Sequence, residues 1–123
     1  MSGIAAQVVG VVDALAHPAS EPPEGLFAPG AITWHSFDEV EAPTVPDTFA
    51  TLRAIREKVP DFTMTDVRAG DGFAQYVIVG TLPDGSALRA PAALVVHVED
   101  GLVTRIEEYV DTGQLAGLFA LLA

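Results

Sequence analysis

No cysteine occurs in the sequence, so disulfides, thiolate metal sites and cysteine nucleophiles are excluded. Positive charge is scarce. Six Lys and Arg stand against 17 Asp and Glu, for a net charge of −11. Nucleic acid and anionic membrane surfaces repel such a chain, so neither is expected as a partner. No apolar run reaches the ~18 residues of a membrane span, and the first residues lack the basic stretch of a secretory leader. The expectation is an acidic, cytoplasmic protein. Phosphate-cradling glycine loops, nucleophile elbows and dinucleotide fingerprints are missing too.

What is present is a chain of 123 residues, half of them hydrophobic. That is enough for one domain, 1–123, with a real core. Its most telling part is the last third. Pro83-Asp84-Gly85 and Asp100-Gly101 bracket an apolar run. Asp-Gly between apolar runs marks a hairpin, because both central residues must tolerate positive φ. Strands are expected over 62–69, 73–82, 87–98 and 103–110, with a turn at Asp71-Gly72 and an edge or bulge at Pro91.

Ahead of them the apolar spacing predicts a helix from a Ser2 cap to about Ala16, stopped by His17-Pro18. Residues 18–30 hold four prolines and two glycines and read as a loop. A strand over 31–37 and an acidic loop over 39–46 follow. Asp47 or Thr48 then caps a helix running to about Val59. At the end, Asp111 to Gln114 has the spacing of a capping box for a short helix carrying Leu115, Leu118, Phe119 and Leu122. Helices segregated from an antiparallel sheet define an α+β protein.

Two residues stand out as candidate chemistry. His35 lies at the end of a strand beside the only Trp, with Asp38 three residues on. Strand alternation puts Thr33, His35 and Phe37 on one face and Trp34 and Ser36 on the other. An imidazole on an apolar face can move a proton near neutral pH, with Asp38 to orient it. The competing reading is a hydrogen-bonded His at the sheet mouth. Glu108 shares a strand face with Ile106 and Val110. There it is either a carboxylate poised for proton transfer or the partner of Arg89, Arg68 or a backbone amide. Tyr76 is a hydrogen-bond donor or a core aromatic, with the core preferred. Arg105, Glu107 and Tyr109 fall on the outer face, where they build a dimer surface or pair with His97 and Glu99 across strands. No three residues have the spacing of a metal site.

Three segments carry a family resemblance over nearly the whole chain: Ala31-Ile-Thr-Trp-His-Ser36, Val79-Gly80-Thr81, and Asp100-Gly-Leu-Val-Thr-Arg-Ile-Glu-Glu-Tyr-Val-Asp111. With these the chain resembles the nuclear-transport-factor-2-like superfamily, home of ketosteroid isomerase, limonene epoxide hydrolase and SnoaL-like polyketide cyclases. The resemblance implies a cone-shaped, curved antiparallel sheet wrapped by helices, the cystatin-like α+β roll. It also implies an apolar pocket, no cofactor, and a homodimer through the outer sheet face. His35 falls where ketosteroid isomerase keeps its base, whereas Val11 and Ala93 or Leu94 stand where that enzyme has its oxyanion donors. Glu108 falls where the epoxide hydrolase has one of two carboxylates. The positions of its Arg and second Asp correspond to about Gln75 and Val77.

Together these readings predict proton transfer on an apolar, carbonyl-bearing small molecule: isomerisation, cyclisation or dehydration. His35 is the expected base, Asp38 its orienting group and Glu108 the partner acid. Trp34, Phe37, Tyr76, Leu94 and Ile106 shape the site. The alternative is a non-catalytic module of the same fold that binds an apolar ligand or dimerises.

Overall fold

The computed structural model describes residues 3–19, 21–42 and 45–122. Nine elements follow in order: α1 (Ala5–Ala16), β1 (Phe27–His35), β2 (Glu41–Ala42), α2 (Val45–Lys58), β3 (Thr63–Ala69), β4 (Phe73–Thr81), β5 (Ala87–Glu99), β6 (Leu102–Val110) and α3 (Ala116–Leu122). The strands form one sheet in the order β2-β1-β6-β5-β4-β3. Neighbours pair antiparallel except β1 and β6, which run parallel.

The run from β3 to β6 is the predicted meander. Asp100 and Gly101 both adopt positive φ, 52° and 80°. This is the backbone that the Asp-Gly pair announces. Alternation along β5 buries Leu88, Ala90, Ala92, Leu94 and Val96 on one face. β6 stops short of Pro91, whose partner on β4 is Val77. Its missing N–H therefore falls where β5 has outrun β6, a local edge inside a central strand. The one slip between β5 and β6 lies at His97/Val98, so the facing of residues 92–97 against β6 is unbroken.

The first half departs from expectation in three places. β1 begins at Phe27, inside the stretch expected to be loop. A register shift against β6 between Phe27 and Ile32 accommodates Pro29 and Gly30. The acidic segment contributes the two-residue β2. The second helix starts at Val45, ahead of the expected cap, because Pro46 suits the first turn of a helix, where no intrahelical N–H is required. The expected Ser2 cap lies outside the described residues. The Ile4 N–H at the head of α1 is held by the Asp71 carboxylate of the β3–β4 turn.

Helices pack on the concave side of the sheet. Val8, Val11, Val12 and Leu15 of α1 and Phe49 and Ile55 of α2 are buried against it. Phe49 meets Phe27 edge-on at 6.1 Å. The chain leaves α2 over Gly80, where a Cβ would stand 2.6 Å from Val59. Asp61 fixes that crossing by accepting from the Thr81 N–H at 2.8 Å and the Thr81 hydroxyl at 2.7 Å. Three α2 cations close the helical layer. Arg53 and Arg56 donate to the carbonyls of Ala19 and Ala16, and Lys58 donates to that of Leu121.

Candidate active site

The parallel pairing of β1 with β6 sets His35 directly beside Glu108. Both face the concave side, as Thr33 and Ile106 do two pairs earlier. His35 Nε2 lies 3.7 Å from Glu108 Oε1. The imidazole side chain is 27% exposed and the carboxylate 14%. Its backbone is pinned on both sides. Ser36 N–H donates to Glu108 O at 2.9 Å, and Glu39 N–H donates to His35 O at 2.8 Å. The Ser36 hydroxyl accepts from the Val110 N–H. His35 thus ends a strand that the neighbouring strand continues to hold.

Glu108 has a second partner. Tyr76, 2% exposed, donates its hydroxyl to Oε2. Tyr76 and Glu108 sit diagonally on β4 and β6. The residue of β5 opposite Tyr76 is Ala92, small enough to let the phenol lean across. Burial first, then the negative charge of Glu108, pushes the Tyr76 hydroxyl well above its ordinary value of 10. The proton stays on the phenol and keeps one carboxylate oxygen in place. Tyr76 is therefore both readings at once, a core aromatic and a donor.

His35 and Glu108 border a mainly apolar cavity of about 290 Å³, with Thr48 and Thr51 as its other polar lining, whereas Tyr76, expected to shape the site, stands behind Glu108 outside the lining. The cavity walls include Leu52, Phe62, Met64, Ile78 and Leu94 from the body of the fold. Leu115, Leu118 and Phe119, at and just before α3, complete it. Leu94 and Ile106 border it. Phe37 stacks on the His35 ring at 4.7 Å with 22° between planes, and Phe119 meets Phe37 at 5.1 Å. The C-terminal helix is thereby coupled to the imidazole through one aromatic ring. Sequence reading had named the apolar stripe of that helix without connecting it to the site. The signal was there in Phe119, an aromatic on a short terminal helix.

Two expected site residues are placed differently. Asp38 does not orient His35. Its Oδ1 accepts from the Val40 N–H at 3.1 Å, because a short acid at the head of a turn finds the N–H two residues on before it finds a side chain. It shares only a small polar depression with His35, Thr48 and Thr51. The carboxylate facing the imidazole is Glu108. Trp34 borders the cavity, yet its indole packs on Tyr109 of the opposite sheet face at 5.2 Å. On that outer face Glu107 bridges His97 at 3.2 Å and Arg105 at 2.8 Å, and Arg105 reaches Glu41. The expected pairing with His97 is thus made by Glu107. Arg89 and Arg68, the other partners considered for Glu108, are exposed and make no ion pair with it among the described residues. No three His, Asp or Glu among the described residues come together as metal ligands.

No protein-family model matches the sequence, and no curated protein does. Solved structures match over nearly the whole chain. IdmH, a candidate polyketide cyclase from Streptomyces antibioticus, superposes with a TM-score of 0.67 at 17% identity, covering 93% of this chain and 96% of its own. A candidate SnoaL-like polyketide cyclase from Jannaschia sp. CCS1 gives 0.61 at 18% identity, with 94% and 93% covered. A ketosteroid isomerase-like fold protein from Catenulispora acidiphila, solved with trimethylamine, gives 0.61 at 11% identity, with 84% and 83% covered. The chain has the nuclear-transport-factor-2-like fold, in its SnoaL-like and ketosteroid isomerase-like form. At these identities the likeness extends to the fold and leaves the chemistry to the site.

Proposed function

We propose that this protein is a cofactor-independent proton-transfer catalyst of the isomerase, cyclase or dehydratase type, acting on an apolar molecule that bears a carbonyl. One observation carries the reading. An imidazole and a carboxylate sit 3.7 Å apart on the wall of a mainly apolar cavity whose other polar lining is Thr48 and Thr51. His35 takes a proton from the carbon beside the substrate carbonyl and returns it elsewhere. Glu108, held by Tyr76, faces the imidazolium that forms and offsets its charge in a medium of low polarity. Phe37 covers the ring and keeps water off one side of it. A second copy of the chain, joined through the outer sheet face, is the partner in this reading.

One observation favours the non-catalytic alternative. At the positions of the resembled isomerase's oxyanion donors stand Val11 and either Ala93 or Leu94, all hydrocarbon side chains, with Val11 and Leu94 wholly buried. They offer nothing to an enolate oxygen. Exchange of substrate protons in deuterated water separates the two readings. The protein should accelerate exchange at the carbon next to a bound ketone, and His35→Gln should lower that rate by roughly 10²–10⁴-fold, the usual worth of a general base. Bound ketone with no acceleration, or acceleration that survives His35→Gln, overturns catalysis by this histidine.

A further inference from the structure

The cavity itself defines what it accepts, given that it is the working site proposed above. Its volume of about 290 Å³ is near twice that of a cavity of about 150 Å³ known to hold benzene. By proportion it takes about a dozen non-hydrogen atoms. Four fused rings leave much of their surface outside.

Charge narrows the class further. Among the described residues no Lys or Arg borders the cavity. Arg53, Arg56 and Lys58 of the adjoining α2 are each engaged by a backbone carbonyl. Arg105 is held between Glu41 and Glu107 on the far side of the sheet. A carboxylate or phosphate entering the cavity would lose its water and meet Glu108 with no Lys or Arg to offset either cost. An ammonium group fares little better. One oxygen of Glu108 accepts from Tyr76 and the other faces His35, so an ammonium must shed its water and displace the imidazole to reach that charge. The imidazole end remains suited to one neutral hydrogen-bonding oxygen.

We propose that the ligand of this cavity is an uncharged, largely hydrocarbon molecule of one or two rings with a single carbonyl or hydroxyl. Acids, amines and four-ring compounds are refused.

A ligand ladder tests this on the intact protein, read by the NMR shifts of the His35 ring. Cyclohexanone, 1-tetralone and androst-4-ene-3,17-dione vary size. 2-Acetylnaphthalene, 2-naphthoate and 2-(aminomethyl)naphthalene vary charge on one skeleton. Each added buried carbon is worth about fourfold in affinity. Tetralone should therefore bind on the order of 100-fold more tightly than cyclohexanone. The steroid, the acid and the amine should each be at least tenfold weaker than their neutral two-ring counterparts. Equal or tighter binding by the steroid, the acid or the amine overturns the assigned class, and so does a His35 ring that no ligand moves. The exchange assay decides catalysis independently. A selective cavity without exchange leaves this inference standing and removes the catalytic reading alone.

Discussion

The Tyr76 hydroxyl donates to Glu108 across the concave face of the sheet, from a phenol only 2% exposed. A buried carboxylate without a donor is costly. Tyr76→Phe removes the donor and keeps the ring. The variant should lose about 1–3 kcal/mol of stability, the cost of an unsatisfied buried acceptor. Urea denaturation measures it. Double substitution with Glu108→Leu should recover much of the loss, since no polar group is then stranded. A Tyr76→Phe variant as stable as the parent would mean that solvent already serves that oxygen.

The same bond predicts behaviour in alkali. Burial and Glu108 hold the Tyr76 hydroxyl well above 10. The folded protein keeps this proton more tightly than the unfolded chain does. Stability from this group is therefore complete below the unfolded value near 10, and it is lost as pH climbs from there toward the folded value. In a Tyr109→Phe background, where Tyr76 is the only tyrosine left, tyrosinate absorbance should appear only well above pH 10. It should coincide with loss of structure. A smooth titration centred at 10 in the folded protein contradicts the buried pair.

His35 and Glu108 should also be coupled energetically. They are in contact on neighbouring strands, within the range where substitutions stop adding. A cycle of His35→Gln, Glu108→Gln and the double variant should give a coupling of about 0.5–1.5 kcal/mol in the pH range where the imidazole is charged. It should shrink when the imidazole is neutral. Denaturation at two pH values reads it. A coupling that is zero at both rules out the carboxylate as the group facing the imidazolium.

The Val59–Gly80 crossing gives a check on packing. A Cβ on residue 80 would stand 2.6 Å from the Val59 side chain. Gly80→Ala must then push the end of α2 off the sheet and should cost about 1–3 kcal/mol. Val59→Ala in the same chain should restore part of it. A neutral Gly80→Ala would show that the helix end moves freely.

The meander was legible because its signals are local. Asp100-Gly101 demands a particular backbone, and alternation from Leu88 to Val96 demands a buried face. The site was half legible for the same reason. His35 and Glu108 each announced themselves as polar residues on apolar strand faces, but their meeting depends on the parallel β1–β6 pairing. These strands lie some seventy residues apart, and no local pattern sets that register. Asp38 is the expected orienting group because nearness in sequence stands in for nearness in space. The link from Tyr76 to Glu108 needs the small Ala92 on an intervening strand, a three-strand coincidence invisible to periodicity. The early start of β1 was hidden by Pro29 and Gly30, which mark a loop in most contexts and here sit at a register shift.

The outer sheet face carries the last prediction. Phe73 is 52% exposed and Tyr109 45%, while Trp34 packs on Tyr109. Through the pairings Phe73–Val95–Glu107–Trp34 these side chains fall along one row and its neighbour, on the side opposite the helices. We propose that a second copy of the chain covers these exposed aromatics. The chain's net charge of −11 opposes random association. Glu107 lies within that row, paired to His97 and Arg105, so a second copy docking there would cover the aromatics on either side of an internally paired charge cluster. Sedimentation at tens of micromolar should give twice the 12.9 kDa chain mass. Phe73→Glu with Tyr109→Glu should return the protein to a monomer with unchanged circular dichroism. Neither position borders the cavity, so ligand binding should survive in the variant. A parent protein that sediments as a monomer at several hundred micromolar sinks the assignment of this face to a second copy.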